Sequence, residues 1–119
     1  MEKKTEANDK LEIAHKVNDR ANRLYRSGRY EEAAPVFEEA YGLFYMILGD
    51  KVQGTQNVMC NMAKNYLKLG QQEKAIEICL KILDESPMAY PFILRKIRDI
   101  GKECGRVDIL RKVQNRMNP

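Results

Sequence analysis

The sequence predicts an all-α chain built as three antiparallel helical hairpins. Apolar residues recur at steps of three and four along most of its 119 residues, which places them on one face of each helix. No segment alternates apolar and polar residues well enough to read as a strand. Three glycines, Gly28, Gly70 and Gly105, interrupt the apolar stripes at separations of 42 and 35 residues, a spacing typical of helical repeat arrays.

The elements follow in order. Residues 1–8 are a polar tail. Asp9 with Glu12 three residues on reads as a capping box that opens the first helix. Its stripe runs through Ala14, Val17, Ala21 and Leu24 until Gly28, whose backbone suits a left-handed helix exit. A second stripe, Tyr30, Ala33, Phe37, Ala40 and Phe44, ends near Gly49, so the first hairpin covers about 9–49. Pro35 stands about five residues into that second helix, where proline removes a hydrogen bond and costs about 3 kcal/mol. A late or irregular first turn is the expectation there.

The second hairpin, 53–86, carries Met59, Met62, Ala63 and Tyr66, then Ala75, Ile76, Cys79, Ile82 and Leu83 beyond Gly70. Pro87 closes it, because proline disfavours helical backbone in the residue before it. The third, 88–118, has Pro91 in a first helical turn, a stripe of Phe92, Ile93, Ile97 and Ile100, the break at Gly105, and a last stripe of Val107, Leu110, Val113 and Met117. Residues 9–119 are thus a single domain. One hairpin cannot bury its apolar face alone, so about three must stack. The terminal unit needs a polar outer face, which Arg111, Lys112, Gln114, Asn115 and Arg116 supply.

These residues resemble the tetratricopeptide repeat family. The segment Asn61 to Gly70, with Ala75, Cys79, Leu83 and Pro87 after it, is similar to a nearly complete repeat: Ala63 and Ala75 stand at its small positions and Tyr66 at its aromatic one. Ala21, Leu24, Tyr30, Ala33, Phe37 and Ala40 match in the first copy. The third is degenerate, with Arg98 at the small position, Gly101 at the aromatic one and Leu110 at the helix-B alanine, as befits a cap. The longer first unit resembles that of kinesin light chains and spindle adaptors. The resemblance implies a right-handed superhelical solenoid that binds proteins or peptides and is not an enzyme.

Charge is uneven. Residues 1–30 carry a net +3, residues 31–87 carry −4 and residues 88–119 carry +5, so a partner with acidic character suits the last third. The three cysteines, Cys60, Cys79 and Cys104, are odd in number, lack CxxC spacing and fall in apolar helical patterns. Free thiols in a reducing, cytoplasmic setting are expected, with no signal peptide at the charged start and no membrane span.

The candidate site is the concave wall made by the first helix of each hairpin. The repeat projects Asn18, Asn22, Tyr25 and Arg26 onto it from hairpin one, Cys60, Asn61, Lys64 and Lys68 from hairpin two, and Arg95, Arg98, Asp99 and Lys102 from hairpin three. Amides grip peptide backbone and cations grip carboxylates, so an extended peptide is the expected ligand. Asn22 and Asn61 stand where chaperone-binding members of the family hold a C-terminal carboxylate. Asn18 and Asp99, however, replace the lysine and arginine of that clamp, which disfavours chaperone tails. His15 is the single histidine, and no phosphate loop or nucleophile elbow occurs; neither catalysis, metal nor cofactor is expected. Two alternatives stand beside peptide binding: nucleic acid on Arg95, Lys96, Arg98, Lys102, Arg106, Arg111, Lys112 and Arg116, disfavoured for want of exposed base-reading or stacking residues, and homo-oligomerisation through the solenoid ends.

Overall fold

The computed structural model describes residues 6–86 and 89–118. Six helices run through them: α1 (Glu6–Arg26), α2 (Tyr30–Leu48), α3 (Gln53–Lys68), α4 (Gln72–Glu85), α5 (Pro91–Glu103) and α6 (Val107–Met117), with no strand among the described residues. They pair as the expected hairpins, and α3 touches α1, α2, α4 and α5. The helices shorten along the chain, from 21 and 19 residues in the first hairpin to 16 and 14, then 13 and 11. Between Gly28 and Gly70 lie α2 and α3, which are longer than the α4 and α5 between Gly70 and Gly105, and this accounts for the wider first glycine interval. Pro87 lies outside the described residues, as do residues 1–5 of the polar tail.

The three intra-hairpin turns are one structure repeated. Gly28, Gly70 and Gly105 have φ of 78°, 75° and 66°, a left-handed backbone that only glycine enters without strain. Each donates its N–H to the carbonyl three residues back, and the following residue donates to the carbonyl five back: Arg29 to Leu24 (2.9 Å), Gln71 to Tyr66 (2.8 Å) and Arg106 to Gly101 (2.9 Å). This Schellman arrangement satisfies carbonyls left over at the helix end. The same three residues are the N-caps of the next helices. Each turn therefore ends one helix and starts another within three residues, which forces the pair antiparallel.

Two local expectations are corrected. Helix α1 begins at Glu6, so Asp9 lies inside it and the Asp9–Glu12 box does not form the helix start; residues 6–8 belong to the helix and not to the tail. Helix α2 does not start late: it begins at Tyr30 and runs through Pro35 to Leu48. Proline lacks only the N–H that would reach the Glu31 carbonyl, and Glu31 is exposed, so water can satisfy that oxygen.

Small residues set the close approaches. Ala21, Ala33, Ala63 and Ala75 are fully buried among Phe37, Met59, Tyr66, Ile82 and Leu83. A second cluster of Ala14, Ala40, Phe44 and Val58 holds the far end of the first hairpin. Polar ties run both between and within the hairpins. Asn65 Nδ2 donates to the Tyr30 carbonyl at 2.9 Å, the Tyr66 hydroxyl donates to Glu38 at 2.8 Å, and Gln56 Nε2 donates to Ser86 Oγ at 2.6 Å. Arg116 donates to the carbonyls of Ser86 and Leu83, and Lys112 pairs with Asp84 at 3.0 Å. The third hairpin is thereby fastened to the second by its own basic residues. Its departure from the repeat has a steric cause: a Cβ on Gly101 would sit 2.8 Å from Ile109 Cγ2 and 3.3 Å from its Cβ, so α5 and α6 close directly over the glycine.

Two expectations follow from this packing. Gly101→Ala should lower stability by about 1–2 kcal/mol despite alanine's helix preference, because the neighbour is a fully buried β-branched side chain. Gly42→Ala, in α2 with nothing within 4 Å of its added Cβ, should gain up to about 1 kcal/mol; urea midpoints distinguish the two signs. The Tyr66 hydroxyl is pushed up to about 12 from 10.0 by burial first and then by its bond to Glu38 and that carboxylate's charge. Its contribution is complete below pH 10.0 and is lost as pH climbs through about 12. Tyr66→Phe should cost about 1 kcal/mol at neutral pH and show a flatter alkaline decline than wild type in denaturation curves taken across that window.

Candidate peptide-binding groove

Helices α1, α3 and α5 contribute one stripe each to a common wall. On α3 the stripe is Asn57, Asn61, Lys64 and Lys68, at steps of four, three and four that keep side chains on one helical face. Shifting by the glycine intervals gives the equivalent stripes, His15, Asp19, Asn22 and Arg26 on α1 and Phe92, Lys96, Asp99 and Glu103 on α5.

Two recesses occupy this wall. The first, about 290 Å³, is lined by Asn22, Tyr25 and Arg26 of α1 and Asn61 and Lys64 of α3, with Phe37 of α2 also lining it. The second, about 180 Å³, shares Tyr25 and Lys64 and continues through Leu67 and Lys68 to Asp99, Ile100 and Glu103 of α5. The shared residues join them into one groove. Its α1–α3 half presents cations and amides, and its α5 edge presents two carboxylates.

Between α3 and α5 stands Lys96. Its ammonium donates to Asn57 Oδ1 and, at 3.3 Å, to Asn61 Oδ1, and lies 5.9 Å from the Phe92 ring centre. Burial lowers its pKa, and the charge of Lys64 lowers it further. With the Asn61 oxygen engaged by Lys96, the amide Nδ2 is the part of Asn61 left to offer a ligand.

The structure brings Asn22, Tyr25, Arg26, Asn61, Lys64 and Lys68 together as the sequence predicts. It departs for the others. Asn18 is buried, with an Oδ1 that finds no partner, and does not line the groove. Cys60 is fully buried. Arg95 is exposed and lines neither recess. Arg98 and Lys102 line a separate recess with Leu110, Val113 and Met117 of α6. The reason is angular: Lys96 faces α3, and Arg98, two residues on, is roughly 200° round the helix. The basic extension of the wall into the third hairpin is therefore replaced by Lys96 with Asp99 and Glu103. Sequence reading omitted Asn57, Lys96 and Glu103 from the wall, although carrying the α3 stripe forward by 35 residues locates the last two.

The thiols are held protonated. Burial pushes Cys60 up to about 12 and also raises Cys79 and Cys104, which removes the thiolate that a nucleophile or metal ligand needs. Among the described residues no group of three His, Cys, Asp or Glu could hold a metal ion, and no helix is long and apolar enough to cross a membrane.

Residues 57–87 match the tetratricopeptide repeat family. The match spans α3 and α4, the hairpin whose small and aromatic residues carry the resemblance most fully, and the six helices form a hairpin array of that kind. Such repeats generally mediate protein–protein interaction. The chain is also 31% identical over 84 residues to the peptidyl-prolyl cis-trans isomerase PASTICCINO1 of Arabidopsis thaliana. That similarity covers 65% of this chain and 13% of the relative, so the chain spans only a small part of the relative's length.

Lys96 should respond as a part-buried charge dependent on two amides. Replacing Asn57 and Asn61 together by Leu should destabilise the fold by about 2–4 kcal/mol, and adding Lys96→Met should recover most of the loss. A double-mutant cycle of unfolding free energies checks the coupling.

Proposed function

We propose that this chain is a non-catalytic scaffold holding an extended segment of another protein, acidic in character, in the groove between α1, α3 and α5. The observation that carries the reading is the convergence of Asn22, Arg26, Asn61 and Lys64 on one recess: two amides suited to peptide backbone beside two cations suited to carboxylates. The repeat match supports it, since protein binding is what such repeats generally do. The longer first unit, like that of kinesin light chains and spindle adaptors, belongs to the same reading, as does a reducing cytoplasmic setting for the free thiols. Isomerase activity is not carried over from the Arabidopsis relative, given the 13% of that protein matched.

Nucleic acid is less well supported. Several basic groups of the last third are already engaged within the fold: Arg106 with Asp108, Lys112 with Asp84, and Arg116 with backbone carbonyls. That leaves fewer free cations there to neutralise a row of phosphates.

Short extended peptides differing only in Glu, Gln or Lys content provide the test. Fluorescence anisotropy should rank the Glu peptide first, with affinity falling as salt rises. Replacing Asn22, Asn61 and Lys64 together by Ala should weaken it at least about tenfold, equivalent to about 1.4 kcal/mol, while helical circular dichroism persists. Unchanged affinity in the triple variant would reject the groove.

A further inference from the structure

The recess at the C-terminal end of the array lies outside the groove. It has a volume of about 360 Å³ and is lined by Arg98 and Lys102 of α5 with Leu110, Val113, Gln114 and Met117 of α6. Repeat register identifies this surface. Leu110 corresponds to Ala33 and Ala75, Gln114 to Phe37 and Cys79, and Met117 to Ala40 and Ile82, all of them buried in the first two hairpins. Phe37 shows what the position faces, since it lines the recess shared with α3 of the next hairpin. The terminal recess is therefore the side of a hairpin that elsewhere receives its successor.

Its charge is specific. Arg98 stands where hairpins one and two carry the fully buried Ala21 and Ala63. Its Nε is buried and finds no acceptor. Lys102 is one turn further along α5 on the same side. The carboxylates of α5, Asp99 and Glu103, face the groove instead, and Asp108 pairs with Arg106 at 2.7 Å. An apolar floor thus lies beside a pair of cations at i, i+4 that no carboxylate of the recess lining balances.

A second copy of the chain is a poor occupant. The side of α3 that packs on hairpin one includes Asn65, which donates to the Tyr30 carbonyl. Its counterpart on α1 is Arg23, with Arg20 in the place of Met62. Stacking copies head to tail would press these arginines toward Arg98, Lys102 and the basic α6, and like charges brought together repel.

We propose that the terminal recess is a second docking site, which takes an amphipathic helix of another protein whose apolar stripe is flanked by carboxylates one turn apart. The apolar stripe seats on Leu110, Val113 and Met117, and the carboxylates meet Arg98 and Lys102, in the helix-in-groove mode. Occupancy is independent of the peptide groove, because the two share no lining residue.

The probe is a synthetic helical peptide with a Leu stripe flanked by Glu at i, i+4, compared with a twin carrying Lys at those positions. Titration calorimetry of the full chain should detect the Glu peptide and not the Lys twin. The variant Arg98→Ala/Lys102→Ala, which places at 98 the residue that hairpins one and two carry there, should keep its helicity and lose affinity at least tenfold. The Asn22, Asn61 and Lys64 triple variant should bind the Glu peptide like wild type, so failure of the groove reading and failure of this one are separable. Equal binding of the two peptides, or loss of binding in the groove variant alone, overturns the proposal. Sedimentation showing concentration-dependent self-association that Arg98→Ala/Lys102→Ala abolishes would replace it with a second copy.

Discussion

Helix α3 is the central contact of the array: four helices pack against it, and its remaining face forms the wall of the groove. Neighbours α1, α2, α4 and α5 cover it so completely that even Thr55, Gln56 and Asn65 are fully buried. Some polar atoms there find partners and some do not: Thr55 Oγ1, Gln56 Oε1 and Asn65 Oδ1 have none, whereas Gln56 Nε2 and Asn65 Nδ2 are bonded. The Asn65 and Tyr66 bonds run to α2, and the Gln56 bond runs to the end of α4. Apolar contact alone would let neighbouring hairpins slide over one another; the Asn65 and Tyr66 bonds set the register between the first two, and the Gln56 bond ties the second hairpin to itself. The groove depends on that register, because Asn61 and Lys64 project from the helix so fixed toward residues of α1 that they never meet in sequence.

The hairpins were legible because their punctuation is local. A left-handed glycine, a small residue seven positions before it and another five after it recur in hairpins one and two and can be read without knowing any long-range contact. The groove residues of α1 and α3 were legible for the same reason. What escaped was angular. Arg98 and Lys102 are basic and near the right place in sequence, yet α5 presents Lys96 to α3 and turns those two toward α6. Composition cannot reveal such a difference; only the rotation of the helix about its axis does. Asp9 misled because a capping box is a pattern of residue types that an already formed helix can also contain. Pro35 misled because the carbonyl it leaves free belongs to an exposed residue.

Degeneracy in the third hairpin has a physical content. Gly101, at the position matching Tyr66, is small because Ile109 packs directly against it. Arg98 and Leu110 are larger than the alanines at the matching positions and are only partly buried. The same substitutions that weaken the repeat signature line an open recess in the described structure. The molecule therefore presents two faces of different character: a wall of amides, cations and carboxylates, and an apolar recess beside paired cations.

The steady shortening of the helices has a mechanical side. At 1.5 Å per residue, α1 is about 30 Å long and α6 roughly 17 Å, so the array is a wedge whose layers thin toward the C-terminus. In stacked repeats, stability is close to the sum of each layer and its contacts with immediate neighbours. Within the described array the thinnest layer has the least to hold it and opens most readily, in the manner of local unfolding at the weak end of a structure. A pull on the C-terminus would peel the third hairpin away while α3 is still locked to hairpin one. Pulling on the N-terminus would first have to break the two longest helices. The described array is thus a polarised fastener, with a thin layer that yields readily and a thick one that resists.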